Sequence, residues 1–173
     1  ADYASACAAL RLAAETPGPV YVRMGRASVP AVYAPDVELE LGKAYVIDEG
    51  TDVSIIACGL EVTEARKAAE KLAEEGISAE VIDAFSVKPL DAETILASLA
   101  KTGCAVVAEE HSVYGGLCSA VSELCAESQP TPLEFVAVRD RFGKSGEFEE
   151  LMAYFGLDAA SIVQAAKKVL MRK

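Results

Sequence analysis

The chain has 173 residues, 52% of them hydrophobic and 25% charged, with a net charge of −11. That length holds one sizeable core, and that composition excludes a disordered or membrane-embedded class. The acidity repels nucleic-acid phosphates and anionic lipid, so neither is an expected partner. No apolar run approaches the roughly 20 residues of a spanning helix, and the start lacks the basic and apolar pattern of a secretion signal. A cytoplasmic location is the expectation. Cys7, Cys58, Cys104, Cys118 and Cys125 form no CxxC pair and leave an odd thiol, which argues for reduced, packed cysteines. A single histidine excludes a His-rich metal site.

Ala6, Ala9, Leu10 and Ala13 recur at helical spacing, and Thr16-Pro17-Gly18-Pro19 stops that helix before a short apolar strand, Val20 to Met24. Two elements cannot make a core, so residues 1–27 are expected to be the tail of a preceding domain. Residues 28–42, with Pro30 and Pro35, form a linker. A domain then runs over 43–173. Tyr45 to Ile47 and Val53 to Cys58 suggest an opening hairpin across Asp48-Glu49-Gly50-Thr51-Asp52. Val62, Ala65, Ala69 and Leu72 give a helical face that ends at Gly76, and Glu80 to Asp83 is the next strand. Asp91 starts a helix with Ile95, Leu96 and Leu99, and the central strand is Ala105 to Ala108. Leu117 to Leu124 is helical, Leu133 to Val138 is the last strand, and Phe148 to Phe155 is a short helix. Asp158 caps a final helix with Ile162, Val163, Ala166, Val169 and Leu170 inward. Strands alternating with helices predict a three-layer, doubly wound α/β domain. Its sheet should be five-stranded and mostly parallel, with one antiparallel edge strand.

Functional groups should gather beyond the carboxyl ends of such strands. Glu109-Glu110-His111-Ser112-Val113-Tyr114-Gly115-Gly116-Leu117 lies there, joining a strand to a helix through a glycine turn. His111, the chain's one imidazole, could contact a substrate or a partner domain, or serve a structural hydrogen bond. Gly59 and Gly115-Gly116 mark either tight turns, where a side chain would clash, or amides open to an anion. Arg23-Met24-Gly25-Arg26 places two guanidinium groups where the tail emerges, a candidate anion clamp or a solvated surface pair. Gly143-Lys144-Ser145 mimics the end of a phosphate loop, but Val138 stands where that loop needs glycine. It is expected to be a charged surface loop.

Five pieces occur together in order: Gly18 to Arg26, Asp52 to Gly59, Val81-Ile82-Asp83 with Val87-Lys88-Pro89-Leu90-Asp91, Glu109-Glu110-His111, and Gly115-Gly116-Leu117. In that order the chain resembles the carboxyl-terminal part of the transketolase family, most closely transketolases split into two subunits. The resemblance implies transfer of a two-carbon ketol unit between sugar phosphates, with thiamine diphosphate and Mg2+ in the complete enzyme. In that family an amino-terminal domain holds the diphosphate and metal, and a middle domain holds the pyrimidine and the activating glutamate. Residues 1–27 resemble only the tail of that pyrimidine-binding domain and the segments that hold the cofactor are missing, so no catalytic, cofactor-binding or metal-binding residue is expected on this chain, which alone should be inert. The implied partners are an N-terminal section or subunit and a second copy, through a dimer of the carboxyl-terminal domain. The family's sugar-phosphate arginine matches Arg26, with Arg23 its neighbour; His111 matches a histidine typical of split subunits. Deoxyxylulose-phosphate synthases are similar but usually carry a phosphate-binding arginine where Phe85 stands. The β subunits of 2-oxo acid dehydrogenases usually end the corresponding strand in His-Glu. A stand-alone assembly or binding module is the reading from another class.

Overall fold

A computed structural model describes all 173 residues. In chain order the elements are α1 (Tyr3–Glu15), β1 (Tyr45–Asp48), β2 (Val53–Ala57), α2 (Glu61–Glu74), β3 (Ala79–Asp83), α3 (Ala92–Thr102), β4 (Ala105–Ser112), α4 (Leu117–Ser128), β5 (Leu133–Val138), α5 (Phe148–Phe155) and α6 (Ala159–Leu170). The sheet runs β1-β3-β2-β4-β5, with β1 antiparallel to β3 and every other pair parallel. Val53, Ile55, Val81 and Val106 face a layer that includes Leu72 of α2 and Ile162 of α6. Ile56, Ile82 and Val107 face Ile95 and Leu99 of α3 and Val121 of α4. The sheet is thus sandwiched between two helical layers. Burying one such Leu or Ile contributes about 1.5–3 kcal/mol, whereas an exposed pair such as Lys167–Glu75 contributes about 0–1 kcal/mol, so the apolar layers hold the fold.

Helix starts follow the expected chemistry at Asp91, whose carboxylate accepts from Thr94 N, and at Asp158, which accepts from Ser161 N. Asp2 caps α1 in the same way and also receives the amides of Val32 and Tyr33. One carboxylate therefore ties the opening helix to the segment that follows it.

Three expectations are corrected. β1 and β2 do not form a hairpin: β3 lies between them, so the Asp48–Asp52 connection steps across the start of β3. There Thr51 and Asp52 donate to Ser78 O, and Gly50 lies so close that a Cβ would sit 2.2 Å from the carbonyl carbon of Ala79. Val20 to Met24 joins no strand of the sheet. β4 does not end at Ala108 but continues to Ser112, where it pairs with Val138 after a register shift. Glu109, Glu110 and His111 therefore stand on the strand itself. No helix is long and apolar enough to cross a membrane, and all five thiols are free.

Candidate functional site at the sheet rim

β2 and β3 end level with each other, Ala57 opposite Asp83, while β4 overhangs them from Glu109 to Ser112. The overhang is locked from below. Glu109 is buried, and its two carboxylate oxygens accept the amides of Leu117 and Cys118, each at 2.8 Å. These are orphan donors at the start of α4, where negative charge also meets the favourable end of the helix dipole. Gly116 is required by this contact, since a Cβ there would fall 2.3 Å from Glu109 Oε2. Gly116 thus makes room for an internal carboxylate, and the anion at the Leu117 and Cys118 amides is the chain's own.

His111 is half-exposed, its Nδ1 2.8 Å from Ser112 O and 4.0 Å from Glu109 Oε2. The carbonyl just before it, Glu110 O, accepts a 2.6 Å bond from Arg23 Nη1 across 87 residues of sequence. Arg23, Met24 and Gly25 line a small cleft with Cys58, Gly59 and Glu110. The structure therefore brings Arg23 and the His111 segment together. Arg26, three residues on, is exposed and engages no hydrogen bond or ion pair.

Two buried acids at the same rim were not marked in the sequence. Glu61, the first residue of α2, is fully buried and neither carboxyl oxygen has a partner. Burial, reinforced by the negative charges of Glu64, Glu110 and Asp158, pushes its pKa up to about 9. An acid in a helix's first turn is ordinary, so only the packing reveals it. Asp83 ends β3; Tyr33 donates to its Oδ2 at 2.8 Å, while Oδ1 has no partner. Burial raises its pKa, against the pull of the N-terminal ammonium and the Tyr33 hydroxyl.

The rim offers no activated nucleophile. Burial and then the charge of Glu109 push the Cys58 thiol up to about 12, and the same two causes raise Cys118. Lys144 lies in the exposed loop after β5 with its ammonium 4.4 Å from the Tyr154 ring, which fits a charged surface loop. No three His, Cys, Asp or Glu residues are placed to hold a metal. A larger, open cleft lies beside β1 and α3 and mixes Lys43 and Lys101 with Glu49 and Glu80.

The family model described as transketolase, C-terminal domain, matches residues 42–162. The chain is 48% identical over 156 residues to the 6-deoxy-6-sulfo-D-fructose transketolase subunit SqwH of Clostridium sp. (strain MSTE9), covering 90% of this chain and 48% of that one. It is 44% identical over 138 residues to 1-deoxy-D-xylulose-5-phosphate synthase 1 of Geobacter sulfurreducens, covering 79% of this chain and 22% of the synthase. A solved structure described as a split gene transketolase, inactive beta4 tetramer, superposes with a TM-score of 0.96 at 46% identity, covering 99% of this chain and 56% of that one. The chain spans about half the length of the transketolase subunit it matches, and less of the synthase. With a shared fold and a matching model over most of its length, the chain belongs to the transketolase C-terminal domain family.

Proposed function

We propose that the chain is the carboxyl-terminal section of a thiamine-diphosphate-dependent transketolase and acts only with an N-terminal section, in a cytoplasmic assembly dimerised through this domain. Its part is to frame the substrate entrance, with Arg26 gripping the phosphate of a sugar phosphate. The observation that carries this reading is that Arg26, the residue after the Met24 and Gly25 wall of the rim cleft, is exposed and unpaired. In a chain of net charge −11 an exposed arginine without a carboxylate partner is an open anion site, and its planar fork suits phosphate. Screening limits the surrounding negative field to about 8 Å at physiological salt, so a bidentate contact at bonding distance prevails over it.

The residues present do not fit thiamine diphosphate or its metal. The chain has no metal-ligating cluster, and its clefts are open and of mixed charge. The cofactor belongs to the partner section in this reading, and none of its chemistry is assigned to these residues. Phe85 favours transketolase over the synthase: where synthases usually carry a phosphate-binding arginine, this chain has a ring packed edge-on against Tyr45 at 6.4 Å.

Mixing the chain with its candidate N-terminal section, thiamine diphosphate and Mg2+ should produce ketol transfer that neither part gives alone. Absence of transfer, with the two parts shown to associate, would leave the stand-alone module reading. In the reconstituted enzyme Arg26→Ala should raise KM for a ketose phosphate about 10- to 100-fold, the equivalent of one charge-assisted bond. KM for the unphosphorylated ketose should hardly move, and equal effects on both would remove Arg26 from the phosphate site.

A further inference from the structure

Residues 17–31 contain no helix or strand, and three of them, Pro17, Pro19 and Pro30, have no amide hydrogen to donate. Before this stretch Thr16 N and Oγ1 both bond Leu12 O at the end of α1, and after it Val32 N and Tyr33 N bond the Asp2 carboxylate. Between them there is one hydrogen bond, from Arg23 to Glu110 O. Its acceptor is held firmly, because the neighbouring Glu109 is buried and bonded twice to the start of α4. Gly25 rests close to Leu60, so the backbone beside Arg23 also lies over the β2–α2 turn.

We infer that Arg23 is a positioning residue: its bond to the Glu110 carbonyl fastens the segment to β4 and thereby sets where Arg26 stands. This rests on the substrate role proposed for Arg26. Three residues of chain span at most about 10 Å, so the fastening limits how far the Arg26 backbone can stray from the anchored Arg23. Arg23 and Arg26 then do different work. One guanidinium is committed to a backbone carbonyl, and the other is left free for an anion. Because the acceptor is main chain, the Glu110 side chain is not required.

The test combines a motional and a kinetic measurement. In the 173-residue chain, Arg23→Ala should lower backbone NMR order parameters over residues 20–28 below about 0.6 while the thermal midpoint stays unchanged. Arg23→Lys should restore part of the order, and Glu110→Gln should change nothing. In the reconstituted enzyme Arg23→Ala should raise KM for fructose 6-phosphate about threefold to tenfold with kcat little altered. In an Arg26→Ala background it should add no further loss, since a positioning residue acts through the group it positions. Multiplying losses in the double variant would make Arg23 a direct ligand and overturn the inference. Unchanged order parameters would also overturn it, whatever the kinetics. If Arg26→Ala alone leaves the phosphate-sugar KM untouched, the substrate reading falls and takes the positioning role with it; the order parameters would still say whether Arg23 is a fastener.

Discussion

The β4–α4 turn and the β2–α2 turn lie on the same rim, and each buries a glutamate at the start of a helix. They treat it in opposite ways. Glu109 stands on the strand before its helix and accepts two helix amides, while Glu61 stands on the helix itself and accepts none. A buried polar group with no partner costs about 1–3 kcal/mol, and a charged one more, so by keeping its proton Glu61 avoids the larger of the two costs. The difference shows that a helix start does not by itself satisfy a carboxylate; the acid must come from an element that faces the free amides.

The largest expected effect comes from Glu61. Its folded pKa, about 9, exceeds the usual 4.5, so the folded state holds a proton that the unfolded chain releases. Any stability tied to this proton is complete below pH 4.5 and is lost as pH rises towards 9, at up to about 1.4 kcal/mol per pH unit. Between pH 5.5 and 8.5 the chain should lose about 4 kcal/mol from this group, and Glu61→Gln should flatten that slope in urea unfolding. Equal slopes in both proteins would mean that Glu61 has partners and that the two turns are alike. Glu109→Leu should come next, costing about 2–3 kcal/mol, because two buried amides lose their acceptors. A midpoint shift worth less than about 0.5 kcal/mol, the size of an ordinary surface change, would show that water replaces the carboxylate.

These turns also mark how far the sequence could be read. Alternating strands and helices fixed the architecture, and caps such as Asp91 and Asp158 fixed helix starts, because those signals are local. The pairing of β1 was not legible. Asp48 to Asp52 has turn composition, and only the approach of Gly50 to the Ala79 backbone reveals that the connection crosses β3. The true end of β4 was hidden for a related reason. Glu109-Glu110-His111 looks like a polar loop, yet Glu109 is inward because Leu117 and Cys118 present amides to it. Arg23 and Arg26 were visible as a pair, but not which of them is free, since Arg23's acceptor is a carbonyl 87 residues away. Side chains alone cannot announce a main-chain partner.

Asp83 supplies an intermediate case, with one oxygen bonded by Tyr33 and the other bonded by nothing. Tyr33→Phe should convert it into a second Glu61. The ring stays, so its edge-on contact with Tyr45 at 6.3 Å should persist, and the loss should be about 1 kcal/mol for the missing bond. Burial already raises the Asp83 pKa, and the hydroxyl opposes that rise, so removing it should raise the pKa further. A raised folded pKa means stability lost with increasing pH. The gap between wild type and Tyr33→Phe should therefore widen as pH climbs through the raised folded pKa of Asp83, and Asp83→Asn in the same background should close the widening. If the gap is constant with pH, Tyr33 contributes only a neutral contact. Donor count would then not grade the three rim carboxyls, and the contrast between Glu61 and Glu109 would rest on depth of burial instead.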